Sequence, residues 1–218
     1  MKRSNNYLLY SIFIITFFAY LPSLFCDFTN WDDGVNVTQN IFISEISIQN
    51  LKAIFTQSFA GMYVPLTMLS YSIDNLIGGL DPLIFHLSNL ILHLLNIFLL
   101  YKFIFKLTDK KNAALIAALL FALHPMNTES IVWISTRSTL LFTLFYFLCI
   151  NYYIDFIKQK KQKYLLYGVL FFILSLFSKS QAMTLPLTLF VIDFWFRRKI
   201  NRNIFLEKTP FFILSILF

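Results

Sequence analysis

"PLIFHLSNLILHLLNIFLLYKFIFKL", residues 82–107, runs directly into "TDKKN", residues 108–112. As a helix at about 1.5 Å per residue the first stretch is about 39 Å long. That exceeds the roughly 30 Å hydrocarbon core of a bilayer. Its only charges are Lys102 and Lys106, both in the last two turns. A helix apolar around most of its circumference has no water-facing side. The stretch therefore reads as a membrane span, and the lysine-rich turn as the point where the chain leaves the lipid. The whole sequence agrees. Of its 218 residues 58% are hydrophobic and 19% aromatic, and only 13% are charged, against about 25% in an ordinary soluble domain. The fold class is all-α integral membrane: a polytopic helix bundle.

The same reading places a first span at 7–25. Lys2 and Arg3 precede it, but no small-x-small cleavage site follows, so it is an uncleaved anchor rather than a signal peptide. Further spans are expected at 112–126, 130–156, 164–178 and 181–196, with a seventh opening at 209. Three units follow: an anchor, 1–25; an outer segment, 26–81; and a helical bundle, 82–218, cut short in its seventh span. Cys26 and Cys149 fall on opposite sides of this arrangement and are not expected to pair.

Basic residues orient the bundle. With the N-terminus cytoplasmic, the inner turns are "TDKKN" (108–112), "KQKKQK" (158–163) and "RRKINR" (197–202). Together with Lys2, Arg3, Lys102, Lys106 and Lys208 they place 15 of the 18 Lys and Arg inside; the remaining 3 are Lys52, Arg137 and Lys179. Topology and attraction to anionic lipid account for the net charge of +7, and nucleic acid is not an expected partner. The outer segment is neither span nor linker. "SIQNLKAIF" (47–55) and "PLTMLSYSIDNLIGG" (65–79) carry apolar residues at helical spacing and read as short interfacial helices. Asn36-Val37-Thr38 is an N-glycosylation sequon. Gly-rich phosphate loops, metal-binding Cys/His clusters and nucleophile elbows do not occur.

The chemistry is therefore sought on the outer side. "FTNWDDGVNVTQN" (28–40) sets Asp32 beside Asp33 just after a span. Adjacent carboxylates supply a general base or hold a divalent cation; a solvated turn is the plain alternative. His86, Asn89, His93 and Asn96 share one face of the second span, where interhelical hydrogen bonding is the plain reading; His86 lies nearest the outer surface. In "HPMNTESIVWISTRSTLL" (124–141) His124 and Pro125 end one helix, Asn127 or Thr128 is the expected cap of the next, and Glu129 sits in its first turn. Arg137, about two turns into the fourth span, needs an anion, either an acidic side chain or a ligand phosphate. Lys179, at the fifth-to-sixth turn, is a second isolated cation, for which snorkelling is the alternative.

These stretches resemble the multi-spanning sugar transferases of the C-class (GT-C) fold, in particular the bacterial TPR-bearing membrane proteins and the eukaryotic transmembrane-and-TPR (TMTC) O-mannosyltransferases. The residues that carry the resemblance are "FTNWDDGVNVTQN" (28–40), "VPLTMLSYSIDNLIGGLDPLIFHLSNLILHLLN" (64–96), "HPMNTESIVWISTR" (124–137) and "SKSQAMTLPLTLFVIDFW" (178–195). The resemblance implies transfer of a sugar, often mannose, from a polyprenyl-phosphate carrier to a protein or glycan hydroxyl. The catalytic carboxylate is then Asp32 or Asp33. Arg137 and Lys179 are expected at the phosphate, with His124, Glu129 and His86 as further substrate contacts. The site would lie on the outer face of a bacterial cell membrane, or of the endoplasmic reticulum in a eukaryote. Two departures stand out: Thr139 and Ser180 occupy positions where related sequences often carry acids. Relatives also have more spans and usually a TPR array, so the sequence reads as the N-terminal part of such a protein. The alternatives are a non-enzymatic membrane anchor of a TPR scaffold and, third, a transporter, favoured only by the His86–Asn96 stripe.

Overall fold

The computed structural model describes residues 7–199 and 201–218; Lys2 and Arg3 of the charge count lie outside them. The described residues form ten α-helices: α1 (Tyr7–Tyr20), α2 (Ile48–Thr56), α3 (Pro65–Gly78), α4 (Pro82–Thr108), α5 (Lys111–Leu123), α6 (Thr128–Val132), α7 (Arg137–Gln159), α8 (Gln162–Ser178), α9 (Leu185–Trp195) and α10 (Arg202–Leu217). The all-α membrane bundle read from the sequence is what forms. Three helical stretches among the described residues are long and apolar enough to cross a bilayer: Tyr7–Phe25, Pro82–Thr108 and Ile134–Gln159. A fourth forms if Lys111–Leu123 and Pro125–Val132, bent by 53°, are taken together, and α8 is a shorter apolar helix.

Local chemistry sets the helix ends. Asp81 Oδ1 accepts the Leu83 N–H at 3.0 Å and Pro82 opens α4, an N-terminus with a capping carboxylate and a residue that has no N–H to lose. Gly79 ends α3 at φ 63°, a conformation costly for a side chain. Gly78 is needed for another reason: a Cβ there would stand 2.4 Å from Ile84 Cγ1. The α3–α4 hairpin closes only because that position is bare.

The helices run alternately up and down. At one end Lys106 pairs with Asp155 at 2.7 Å, Lys158 donates to Lys106 O at 2.6 Å and Trp195 Nε1 donates to Leu107 O at 2.9 Å. These contacts join the basic turns. At the other end Thr67 Oγ1 donates to Ser178 O at 3.2 Å and Tyr71 Oη to Ile134 O at 2.7 Å. This end, remote from the lysines, is called outer below. In α1, Leu9 packs with Ile97 and Leu115, while Tyr20 packs with Leu90 and Ile131, so α1 starts at the basic end. Ala114, Ala118 and Ala122 of α5 are fully buried, small side chains that permit close helix approach in lipid. Conversely Ile14, Phe18, Ile116, Leu120, Leu166, Leu187, Val191 and Phe194 are exposed, as lipid-facing residues must be.

The structure amends the sequence reading in three places. The segment 130–156 is not one helix: the chain is extended at Trp133 and makes a 3-10 turn over Ile134–Thr136. Arg137 is thus the first residue of α7, not two turns inside a span. Thr136 Oγ1 sits 2.7 Å from Trp133 O and 2.9 Å from Glu129 O, a hydroxyl added to two carbonyls that already accept the Thr136 and Trp133 N–H groups. Asn127 occupies the N-cap position of α6 but its side chain makes no capping bond there; its Nδ2 instead donates to Phe121 O at 2.7 Å and closes α5. Finally, the last helix begins at Arg202 rather than 209. It draws Glu207 and Lys208 into the bundle, where Lys208 bonds Asp193 and Tyr153 Oη (2.6 Å to the latter), and Arg198 clasps Glu207 at 2.7 and 2.8 Å. Two cations and two carboxylates close on one another there, as burial demands.

Cys26 is exposed and Cys149 buried, and both are free. In sealed vesicles an impermeant maleimide should label Cys26 from one side only. A Lys160→Cys variant lacking Cys26 should be labelled from the opposite side. Labelling of both from the same side would refute the two-ended layout.

Candidate active site at the outer helix ends

The outer segment folds over the ends of α4, α7 and α8 around Val37, Ile43, Ile54, Met68, Tyr71, Phe85 and Ile134. Asp33 enters this layer and is 1% exposed. Its Oδ2 accepts from Thr29 N (2.9 Å) and Thr29 Oγ1 (3.0 Å), and its Oδ1 from Ser135 N (2.9 Å) and Ser135 Oγ (2.5 Å). Both oxygens are fully engaged, and the bond to Ser135 ties the first outer loop to the turn before α7. Asp32 is half-buried, and its carboxylate makes no hydrogen bond or ion pair among the described residues. The sequence left the two aspartates equivalent; the structure separates them into an anchored carboxylate and a free one.

Arg137 is also 1% exposed. The anion it requires is Asp74 of α3, whose Oδ2 lies 2.5 Å from Nη1. Nε donates to Asn89 Oδ1 at 2.7 Å, Nη2 to Phe85 O at 2.8 Å and Nη1 to Ser70 Oγ at 3.3 Å. The Tyr71 ring lies beneath the guanidinium at 4.6 Å. Ser88 Oγ donates to Asp74 Oδ1 at 2.7 Å. Asp74 is the one acidic residue of α3, and nothing in the sequence joins it to Arg137.

The stripe on α4 is buried throughout. Asn89 Nδ2 donates to Ile131 O (3.2 Å), His93 Nε2 lies 3.0 Å from Ala122 O, and Asn96 Nδ2 donates to Leu140 O (3.0 Å). These are the interhelical bonds that lipid makes necessary. His86, 2% exposed, has no hydrogen-bond partner for either ring nitrogen among the described residues.

Lys179 stands at the extended turn after α8, half-buried, with Nζ 2.8 Å from Thr139 Oγ1. Burial lowers its pKa below the usual lysine range, and the charge of Glu129 opposes the shift. Glu129 and His124 are exposed; His124 Nδ1 accepts the Met126 N–H at 3.2 Å. The layer thus gathers Asp33, Asp74, Arg137 and Tyr71, while Lys179, Thr139 and Glu129 form a second group and His124 remains at the surface. Asn36 of the sequon is 4% exposed within a π-helical turn. Among the described residues no group of three or more His, Cys, Asp or Glu is placed to hold a metal ion. Ser135 carried no signal in the sequence.

The fold defines a multi-pass helical membrane protein with a buried ion-paired layer at its outer end. The profile of the dolichyl-phosphate-mannose-protein mannosyltransferase family matches residues 65–218, and the chain belongs to that family. Two curated relatives carry the name protein O-mannosyl-transferase TMTC3. That of Mus musculus is 30% identical over 138 residues and that of Homo sapiens 31% identical over 138 residues. Each comparison covers 59% of this chain and 15% of the relative, so the chain spans a small part of their length. No solved structure matches. The family match begins at Pro65 and leaves Asp32 and Asp33 outside it.

Removing one partner of a buried ion pair strands the other charge, at a cost of roughly 3–5 kcal/mol. Asp74→Asn should therefore lower the melting temperature in detergent far more than Asp32→Asn does. Equal melting temperatures would show that the pair does not hold the layer together.

Proposed function

We propose that the protein acts in transfer of a sugar, mannose in the first instance, from a polyprenyl-phosphate donor to a hydroxyl acceptor on its outer face. The single observation that carries this reading is the pairing of a free carboxylate, Asp32, with a neighbour, Asp33, that is wholly committed to holding the loop. A general base must keep an oxygen available to the proton it takes. Asp32 removes the proton from the acceptor hydroxyl as that oxygen bonds to the anomeric carbon. The bond from that carbon to the phosphate oxygen breaks, and the carrier phosphate leaves with the electron pair. Attack from the face opposite the phosphate inverts the anomeric centre. Lys179, held by a neutral hydroxyl rather than a carboxylate, has charge to offer the departing phosphate. Arg137 fixes the layer and adds positive field beneath it. A divalent cation at Asp32 would assist the same phosphate; loss of transfer on chelation would reveal one.

A second reading, a membrane anchor for a scaffold, draws on the complete engagement of Asp33 and Arg137 by protein groups. The two readings part on one experiment. With polyprenyl-phosphate mannose in proteoliposomes, Asp32→Asn should cut kcat by about 10²–10⁴-fold and leave the melting temperature unchanged. Asp33→Asn should lower the melting temperature, because it replaces an acceptor of backbone and hydroxyl donors. Full transfer by Asp32→Asn would remove the base, and with it the enzyme reading of this loop.

The lowered pKa of Lys179 sets a pH dependence. The ammonium loses its proton below the usual lysine range, so KM for the donor should rise as pH increases through that lowered value. Lys179→Arg keeps its charge and should abolish the alkaline rise. A KM flat with pH in the unmodified protein would remove Lys179 from the phosphate.

A further inference from the structure

Trp31 is 77% exposed, although it lies in the first outer loop next to two residues that are not. Its ring packs against that of Trp133 with centroids 5.9 Å apart and planes tilted by 31°. The two indoles come from segments 102 residues apart in sequence that meet through the Asp33–Ser135 bonds. Trp31 stands two positions before Asp33, and Trp133 two positions before Ser135. The same clamp that anchors Asp33 therefore stacks the tryptophans and sets the free carboxylate of Asp32 directly after the exposed ring. Trp133 Nε1 is buried with no acceptor among the described residues, a donor not spent on the protein.

We infer that the Trp31–Trp133 pair is a stacking surface for the pyranose ring that the protein transfers. This rests on the donor reading above and deepens it. A hexose has one face of C–H groups and a rim of hydroxyls. The C–H face packs on an indole, and the hydroxyls need acceptors such as Asp32. An interfacial anchor is the ordinary role of an exposed Trp in a membrane protein. An anchor, however, needs neither a second ring stacked on it nor an unengaged carboxylate as its chain neighbour. The stack is held by the outer loop, so the sugar would meet an already ordered surface.

The protein has 3 tryptophans, and the third, Trp195, lies at the basic end, bonded to Leu107 O. In a Trp195→Phe background the emission comes from the pair alone. Short-chain polyprenyl-phosphate mannose should then change that emission saturably, and the same carrier phosphate without sugar should not. In transfer assays Trp31→Ala should raise KM for the donor on the order of tenfold with kcat little changed, and Trp31→Phe should restore part of the loss. If the unmodified protein transfers sugar but Trp31→Ala keeps its KM, or if the sugar-free carrier changes the emission equally, the stacking role is overturned and the donor reading stands. If the unmodified protein transfers nothing, the donor reading falls. A sugar-dependent emission change would then still support a sugar site at the pair, and its absence would overturn it.

Discussion

A guanidinium removed from water must meet an anion and fill its remaining donors, and the outer half of this protein is arranged around that requirement. Arg137 reaches α3 through Asp74 and Ser70, and α4 through Asn89 and the Phe85 carbonyl. One side chain thus fastens three helices, and it does so at the head of α7, where the chain has just broken from helix to turn. The break serves the site. It exposes the Ser135 N–H and hydroxyl to Asp33 and turns Trp133 toward Trp31. A continuous helix through 133–137 would have used the Ser135 N–H for its own ladder.

The two ends of the bundle handle buried charge by the same rule for different purposes. At the basic end Asp193, Lys208, Arg198 and Glu207 close on each other around Tyr153, which docks α10 and neutralises that cluster. At the outer end the matching is incomplete: among the described residues Asp32 has no partner, and Lys179 has only the hydroxyl of Thr139. In a low-dielectric setting unmatched charge is costly, so these two half-buried groups stand apart from the neutralised cluster around Tyr153. Thr139 is neutral, so its bond to Lys179 leaves the ammonium charge uncancelled.

Legibility in the sequence followed the range of the physics. The α4 stripe was readable because its periodicity is local, and its residues form the interhelical bonds that such a stripe implies. The short helices at 48–56 and 65–78 were readable from apolar spacing and from Pro65 and Gly79. The break before α7 was not, because "SIVWISTR" is as apolar as its flanks and the hydroxyls that stabilise the break act across the turn. The helical start at Arg202 was missed for the opposite reason. Glu207 and Lys208 look like loop residues until Asp193 and Arg198 neutralise them.

By itself the sequence determined that this chain lives in a bilayer, which end of the bundle carries the lysines, and that its outer acids and isolated cations share the other end. Those follow from composition and period, properties that each segment holds on its own. Tertiary structure alone decided which aspartate is free, which anion answers Arg137, and that two distant tryptophans pack together. Each of these depends on Ser135, Asp74 or Trp133 arriving from a remote segment. A hydrogen bond or ion pair has no signature in either partner's sequence until folding brings the two within about 3 Å.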